Sequence, residues 1–514
     1  MSATRTKREP VLIANRGEIA IRVARSCKAL GFPTVAIYSD ADRDSEHVRA
    51  CDFARYVGAA APKESYLNVE RVIAAAKSAG ARYVHPGYGF LSERAHFVRA
   101  CEKAGLVFVG PSAESMDLMG DKIRARATVD SINVPRVPGS KGAVKDAAEA
   151  KKFASEVGYP ILLKATAGGG GKGMRRVDSE SELAAALEGA SREALGAFGD
   201  GAMYVEKFIL EPHHVEIQVF GDGKGRAIHL GERECSIQRR HQKVWEESPA
   251  PILNRYPKTR EAMFDCAVRI AENVKYASAG TLEFIVDGQG NFYFLEMNTR
   301  LQVEHPVTEW VTGVDLVAWQ LLLAAGELEL PKAAPERRGS AIEVRLYAED
   351  PMTFLPAPGP IGAIEMPSGA FVRSDSAFSG PGEVSVNYDP MISKISVWGM
   401  DRDAAVDRLR VALDETRVQP PKRADGTRVG SLRTNLGFLR RLARLDAVRG
   451  GDTTTDLIAR HPELTAPASS EPSLEAAVAL SLRELLAAND GPAAESAPVE
   501  SAWAAQARRE AVRL

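Results

Sequence analysis

A run of alternating polar side chains lies at residues 296–305, which read EMNTRLQVEH. Every second residue there carries a functional group: Glu296, Asn298, Arg300, Gln302 and Glu304. A period of two is that of a β-strand, in which alternate side chains share one face. We therefore expect a single strand face that presents two carboxylates, two amides and one guanidinium.

Part of this predicted face has the chemistry of a magnesium site. Glu296 and Asn298 offer hard oxygen ligands at strand spacing, and Glu283, in TLEF on the preceding predicted strand, offers another carboxylate. Magnesium suits oxygen ligands that leave room for water and phosphate oxygens. The alternative is an ordinary solvated strand face, but such faces rarely carry five functional groups in a row without a lysine or a serine.

A glycine run, KATAGGGGKGM at 164–174, is the second candidate for chemistry. It satisfies G-x-G-x-x-G, but the residues after it are typical of a strand, whereas a dinucleotide-binding turn opens a helix. A Walker A loop is excluded because Gly173 follows Lys172, where serine or threonine is required. The run therefore indicates a hairpin loop whose backbone N–H groups could close over phosphates, or else an ordinary mobile loop.

Length, charge and cysteine content indicate how many globular units to expect, which partners are excluded and which compartment is favoured. The chain has 514 residues, 45% of them hydrophobic, and a net charge of -2, which predicts three or four globular units and no nucleic-acid or anionic-membrane partner. The five scattered cysteines favour a reducing compartment over disulfides or zinc, and Cys235 and His241 lack standard zinc spacing. With no apolar leader after MSATRTKREP, we expect a cytoplasmic location.

The order of predicted elements indicates an α/β (α+β) protein with three regions. Apolar strands alternate with helices at 17–30, 68–79 and 93–104, a pattern that predicts a parallel sheet between residues 10 and 110. The middle region combines strands of an antiparallel sheet with a helix at 180–197. The third region carries the strands AIEVRLYAE and ISKISVWG, a helix at 403–414 and a surface loop at 420–428. Beyond 450 the composition is typical of a linker, with one amphipathic helix predicted at 471–489.

From residue 10 to 446 the chain resembles the biotin carboxylase family, a branch of the ATP-grasp enzymes. The resemblance rests on ten ordered blocks: ANRGEIAIR (14–22), HPGYGFLSE (85–93), MGDK (119–122), LKATAGGGGKGM (163–174), VEKFI (205–209), HHVEIQV (213–219), ERECSIQRRHQKVWEE (232–247), EMNTRLQVEHPVTE (296–309), EVRLYAEDP (343–351) and YDPMISK (388–394). It implies a Rossmann-like N-terminal domain, an ATP-grasp domain with a mobile lid, and a C-terminal domain beside the active site. We accordingly expect domains at 8–120, 121–330 with a lid at about 140–205, and 340–446, followed by a linker or partner-docking tail at 447–514.

The resemblance also implies roles for individual residues. Bicarbonate is expected at Lys243, Arg300, Gln302 and the backbone of Val303, with Glu304 as the general base. Arg345 is expected to meet the ureido oxygen of biotin, which makes Lys243, Arg300, Glu304 and Arg345 the catalytic set. Two magnesium or manganese ions are expected on Glu283, Glu296 and Asn298. ATP is expected on Lys122, Lys164, Gly170, Gly171, Glu206, Lys207, Phe208, Ile209, His214, His241, Glu283 and Glu296.

The implied activity is carboxylation of biotin with ATP and bicarbonate through carboxyphosphate, as the first half-reaction of an acyl-CoA carboxylase. The alternatives are a subunit of pyruvate carboxylase or of another biotin-dependent carboxylase, another ATP-grasp ligase, and a non-catalytic nucleotide-binding subunit. No Met-Lys pair occurs in the sequence, so we expect biotin on a separate carrier protein. The other expected partners are a carboxyltransferase subunit and further copies of the chain in a homo-oligomer.

Overall fold

The structure is a computed structural model that describes residues 8–140, 142–144, 146–166, 174–198, 200–240 and 242–466, together with Val478, Ser481 and Leu482. Gly170, Gly171, His241, the side chain of Lys122 and most of the helix predicted at 471–489 lie outside the described residues. The chain divides into two compact units, Met1–Thr465 and Ala466–Leu514, and all the structure described below belongs to the first. No helix among the described residues has the length and apolar content that crossing a membrane requires.

The N-terminal region is a parallel sheet flanked by helices, which confirms the α/β prediction. Its strands pair in the order β3-β2-β1-β4-β5, and every pairing is parallel. The alternating pattern of the sequence did not reveal β3, because it is an edge strand with Phe53 and Tyr56 about half exposed. The elements are β1 Val11–Ile13, α1 Gly17–Leu30, β2 Thr34–Ser39, α2 Glu46–Ala50, β3 Phe53–Gly58, α3 Val69–Ser78, β4 Tyr83–His85, α4 Ala95–Lys103, β5 Val107–Phe108 and α5 Ala113–Gly120.

A small antiparallel sheet follows, and its first two strands border the glycine run as predicted. Its order is β7-β6-β8, with its own apolar core that includes Ala150, Leu163 and Ala190. The long helix predicted at 180–197 is present as α8. The elements are α6 Lys122–Ser131, α7 Ala147–Val157, β6 Ile161–Ala165, β7 Met174–Val177, α8 Glu180–Phe198 and β8 Met203–Lys207.

One eight-stranded sheet joins the middle and third regions. Its order is β15-β14-β9-β10-β13-β16-β21-β19, so the chain crosses the boundary predicted near 330–340 within a single sheet through the β13–β16 pairing. The elements up to that boundary are β9 His213–Asp222, β10 Ala227–Glu234, β11 Gln238–Arg239, β12 Gln242–Lys243, β13 Trp245–Ser248, α9 Pro251–Arg255, α10 Pro257–Asn273, β14 Ala277–Val286, β15 Phe292–Asn298, α11 His305–Thr312 and α12 Leu316–Ala324.

The compact unit continues past residue 446. Leu457 and Leu464 are buried in the same apolar core as the β16 and β21 side chains, because the segment after residue 450 folds back onto this region. The loop predicted at 420–428 is closed by a Lys422–Arg428 bridge and is mostly exposed. The elements are β16 Ser340–Tyr347, β17 Gly359–Ile361, β18 Ala363–Glu365, β19 Val372–Ser376, β20 Gly382–Val384, β21 Met391–Gly399, α13 Arg402–Glu415, β22 Arg417–Gln419, α14 Leu436–Leu442, α15 Asp446–Gly450 and α16 Leu457–Arg460.

The single strand predicted from Glu296 to Glu304 is wrong. Strand β15 ends at Asn298, residues 299–304 form a turn without regular structure, and α11 begins at His305 with Pro306 in its first turn. A proline lacks the N–H that a sheet needs but is well placed at a helix start, so the chain leaves the sheet before it. The alternating residues therefore reach one site from a strand and a loop, not from one strand face.

Candidate active site

The site is centred on the Lys243 ammonium, at the end of the β11–β12 hairpin. It donates to Glu216 Oε2 at 2.6 Å, to Glu283 Oε1 at 2.9 Å and to Glu304 Oε1 at 2.8 Å. Burial alone would lower the pKa of this ammonium, but the three carboxylates raise that pKa well above its usual range. Lys243 is therefore a fixed positive charge that holds three strands and the 299–304 loop together.

Glu304 is fully buried between two cations. Its other oxygen, Oε2, accepts from Arg345 Nη2 at 2.9 Å, and Arg345 also donates from Nε to Glu246 Oε1 at 2.6 Å. Burial raises the pKa of Glu304, but Lys243 and Arg345 more than offset this and hold it below the usual value. Glu304 is thus an ionised carboxylate at neutral pH, aligned by contacts to both of its oxygens.

Glu283 accepts hydrogen bonds from two amide side chains of the predicted polar run. Its Oε1 accepts from Asn298 Nδ2 at 2.9 Å and from Gln302 Nε2 at 3.1 Å, in addition to Lys243. Its Oε2 lies 3.3 Å from His214 Nε2. Burial opposes ionisation, yet Lys243 and His214 keep the pKa of Glu283 well below its usual value. The same pairing raises the pKa of His214 to about 9 against the effect of burial.

The predicted magnesium ligands fit a hard cation by donor type. Glu283 and Glu296 are cross-strand partners in the β14–β15 register, and Asn298 lies two residues further along β15. Two carboxylates and an amide oxygen form an oxygen-only set, which magnesium prefers. Among the described residues, two further groups of three side chains have metal-ligand spacing: His214 with Glu216 and Glu283, and Glu216 with Cys235 and Glu304.

Arg300 lines a cavity of about 390 Å³ between the N-terminal region and the third region. Its Nε donates to Glu93 Oε2 at 2.9 Å, and its Nη2 donates to Asn298 Oδ1 at 3.2 Å. Val303 and Arg345 line the same cavity, as do Tyr88, Glu93, Tyr388 and Asp389. The cavity therefore brings two of the predicted catalytic residues to one space large enough for a small organic ring system.

Part of the predicted nucleotide set lies on or directly after the small sheet: Lys164 is on β6, Glu206 and Lys207 are on β8, and residues 208–209 follow β8. The Lys164 ammonium is paired with the Glu206 carboxylate across the β6–β8 pairing. The backbone N–H groups of Lys207 and Phe208 already donate to Pro138 O and Pro160 O. Among the described residues, the Ile209 amide makes no hydrogen bond, which leaves it available to a ligand.

Several residues at the site were not singled out from the sequence. They are Glu93, Glu216, Glu246 and Lys394, each of which contacts a predicted site residue, and Arg233, which contacts Glu216. The fully buried Arg233 donates from Nε to Glu216 Oε1 at 2.6 Å and so orients the carboxylate beneath Lys243. A signal was present for Glu216, because the β9 sequence HVEIQV alternates polar residues with apolar ones in a strand that is buried on both faces.

Comparison with protein families covers most of the chain. Residues 7–116 match the biotin carboxylase N-terminal domain, residues 121–332 match the carbamoyl-phosphate synthase L chain ATP-binding domain, and residues 343–460 match the biotin carboxylase C-terminal domain. The matched segments thus include every described residue of the site.

Individual relatives agree with these matches. "Biotin carboxylase 2" of Bacillus subtilis is 48% identical over 452 residues, which cover 88% of this chain and 99% of the relative. The propionyl-CoA carboxylase alpha chain of Ruegeria pomeroyi is 47% identical over 476 residues, covering 88% of this chain and 68% of the relative.

The solved structures include the biotin carboxylase domain dimer of 2-oxoglutarate carboxylase from Hydrogenobacter thermophilus, in complex with MgADP, ADP and bicarbonate. It superposes with a TM-score of 0.79 at 44% identity, covering 90% of this chain and all of that one. The fold, the matched domains and these relatives together show that this chain belongs to the biotin carboxylase family of ATP-grasp ligases.

Proposed function

We propose that this chain uses ATP and bicarbonate, through carboxyphosphate, to carboxylate biotin that is carried on a separate protein. The observation that supports this most directly is the ionised Glu304, held between Lys243 and the cavity-lining Arg345 and directly after the cavity-lining Val303. An aligned carboxylate with cations on both sides suits removal of a proton from an anion that the same cations attract.

Bicarbonate binds, in this proposal, to Lys243, Arg300, Gln302 and the backbone of Val303. The Arg300 guanidinium is a planar donor fork that matches a carboxylate-like anion. Glu304 takes the bicarbonate proton, the resulting oxygen attacks the terminal phosphorus of ATP, and the bond from that phosphorus to the bridging oxygen breaks, so that carboxyphosphate forms and ADP leaves. Lys243 balances the charge that gathers where the two anions meet.

ATP would bind between the small sheet and the eight-stranded sheet. Lys122 and Lys164 would meet the phosphates, and Gly170 and Gly171 would close over them. The adenine would lie against the 206–209 segment, where the Ile209 amide can read the base edge. His214 and His241 would lie along the nucleotide.

Magnesium would be held by Glu283, Glu296 and Asn298, and when bound it would neutralise phosphate charge during transfer. Glu283 is already kept ionised by Lys243 and His214. The amides of Asn298 and Gln302 orient its Oε1 through hydrogen bonds of 2.9 and 3.1 Å. Manganese takes similar oxygen ligands and is proposed as an alternative ion.

Biotin would enter the cavity lined by Arg345. Breakdown of carboxyphosphate gives CO2 and phosphate, the phosphate removes the N1 proton of biotin, and the N1 nitrogen then attacks CO2. Arg345 would stabilise the negative charge that forms on the ureido oxygen. Its two contacts, to Glu246 and Glu304, fix the guanidinium in place before biotin arrives.

The proposed partners are a biotin carrier protein, a carboxyltransferase subunit and a second copy of this chain. An acyl-CoA carboxylase is the first choice of complex, and a keto-acid carboxylase such as pyruvate carboxylase is the second.

Mass spectrometry of the chain purified from its native host should find no covalent biotin. Assays of the purified complex with acetyl-CoA, propionyl-CoA and pyruvate would distinguish the two kinds of complex.

The central test is phosphate release from ATP with bicarbonate, with and without free biotin. We expect Glu304→Gln to keep ADP affinity and to lose about 10²-fold or more of bicarbonate-dependent turnover, as is usual for a general base. Glu247→Gln is the matched control, because Glu247 is equally buried but pairs with Arg402 away from the cavity. Near-normal biotin carboxylation by Glu304→Gln would rule out its assignment as the base.

A further inference from the structure

The loop at 299–304 carries three of the proposed site residues but has no regular secondary structure of its own. It connects β15 to α11 and presents Arg300, Gln302 and Glu304. Side chains on a loop keep catalytic geometry only if other groups fix the backbone. Residues outside the loop must therefore fix the orientation of its peptide planes.

Two buried side chains contact consecutive carbonyls of the loop. Nδ1 of His305 lies 2.8 Å from Gln302 O, and the Lys394 ammonium donates to Val303 O at 2.8 Å. His305 is 0% exposed and Lys394 is 1% exposed, so no solvent competes for either contact. Lys394 is further held by Glu18, whose Oε2 lies 3.6 Å away.

These contacts set the direction of the amide groups as well. In a planar trans peptide the C=O and the following N–H point in opposite directions. The peptide that contains Gln302 O also contains the Val303 N–H, and the peptide that contains Val303 O also contains the Glu304 N–H. Fixing the two carbonyls on the buried side therefore turns both N–H groups away from His305 and Lys394.

We propose that Lys394 and His305 are positioning residues that form a carbonyl clamp on Gln302 and Val303 and so preorganise the loop for the anion. The two clamp residues contact none of the proposed substrates, ATP, bicarbonate and biotin. It acts by aiming the Val303 amide and by fixing the backbone from which Gln302 and Glu304 project. This inference rests on the proposed function, because the anion is the bicarbonate assigned to the Val303 backbone.

The clamp predicts a specific kinetic effect. In Lys394→Met the side chain keeps its length but cannot donate, so the bicarbonate KM should rise by about tenfold or more, as expected for loss of one charge-assisted hydrogen bond. His305→Leu should act in the same direction. His305→Asn places a donor near the Nδ1 position and should restore a KM close to that of the parent chain. ADP affinity should stay within about twofold in all three variants, since none contacts the nucleotide segment.

A purely structural role would not give this pattern. The control is Arg402→Met, which removes a partly buried cation whose partners, Glu247 and the carbonyls of Val448 and Arg449, lie away from the loop. It should lower thermal stability without changing the bicarbonate KM. Unchanged bicarbonate KM in Lys394→Met and His305→Leu, or equal defects in His305→Leu and His305→Asn, would overturn the clamp. Absence of bicarbonate-dependent ATP cleavage in the parent chain would instead overturn the proposed function.

Discussion

Replacing Lys243 by methionine should destabilise the protein, because the three carboxylates around this ammonium would then repel one another. Methionine fills a similar volume but leaves Glu216, Glu283 and Glu304 without the cation that they share. Each carboxylate still has a positively charged partner: Glu216 keeps Arg233, Glu304 keeps Arg345, and Glu283 keeps His214. The variant should therefore fold, but with a lower free energy of unfolding.

The magnitude follows from the burial of the cluster. Removing one partner from a buried ion pair costs about 3–5 kcal/mol, because an uncompensated charge remains inside. Since the three carboxylates keep other cations, we expect the lower end of this range, about 3 kcal/mol near neutral pH. The loss should depend on pH, because it requires ionised carboxylates.

The direction of that dependence is set by the pKa shifts. Lys243 helps to depress the pKa of Glu283 and Glu304 below the ordinary value of 4.5 in the folded protein. The stabilisation from a depressed carboxyl pKa is present above the unfolded value and is lost as pH falls through the folded value. The difference in stability between the parent chain and Lys243→Met should thus be full near pH 7 and should shrink below about pH 4.5.

Denaturant titrations at about pH 7 and about pH 4 would measure this difference. Lys207→Met is the control, because the Lys207 ammonium donates to the carbonyls of Gly158 and Tyr159 and not to a carboxylate. Its stability loss should be small and independent of pH. A loss below about 1 kcal/mol for Lys243→Met, or a difference that grows on acidification, would refute the assignment of Lys243 as the charge that holds the cluster together.

Three further predictions concern single contacts. Arg345→Lys keeps the charge but not the two-sided fork, so kcat/KM for free biotin should fall by about 10²-fold while ADP affinity, measured by calorimetry, is unchanged. Asp375 has a pKa lowered to about 2, with burial opposed chiefly by Arg373, so its stabilisation should be lost as pH falls from about 3.8 to about 2. Asp375→Asn should remove that part of the acid unfolding profile. Thr453→Val should lower the free energy of unfolding by about 1–3 kcal/mol, because the Thr453 hydroxyl donates at 2.6 Å to the buried Glu234 carboxylate.

Local pattern was enough to predict most of the regular elements. Helix α1 covers Gly17–Leu30 as its periodicity predicted, and the strands on both sides of the glycine run are present. Strand β3 was missed because its exposed face lacks the continuous apolar run of a buried parallel strand. The 299–304 loop was misassigned because the polar alternation continues past the end of β15 at Asn298 and up to the start of α11 at His305.

The spacing of residues along the sequence could not predict that three carboxylates meet at Lys243. Glu216 lies 27 residues before Lys243 in the sequence and Glu304 lies 61 residues after it, yet all three meet within one hydrogen-bond length. Only the order β14-β9-β10 and the return of the β11–β12 hairpin bring them together. Sequence motifs therefore identified most of the groups, whereas the partners that set their charge states depended on the fold.

The eight-stranded sheet also explains why the site needs the third region of the chain. Arg345 and Lys394 are cross-strand partners on β16 and β21, and they reach the loop at two successive residues: Arg345 at the Glu304 carboxylate and Lys394 at the Val303 carbonyl. A chain cut near residue 330 would keep Glu304 but would lose both of these contacts and would open the β13 edge to solvent. Because that edge includes the buried Glu246, the truncated sheet would expose a polar strand that no longer has its Arg345 partner. The loop that presents the proposed base and anion-binding groups is thus held in place by strands that follow it in the chain, and the two regions act as one catalytic unit.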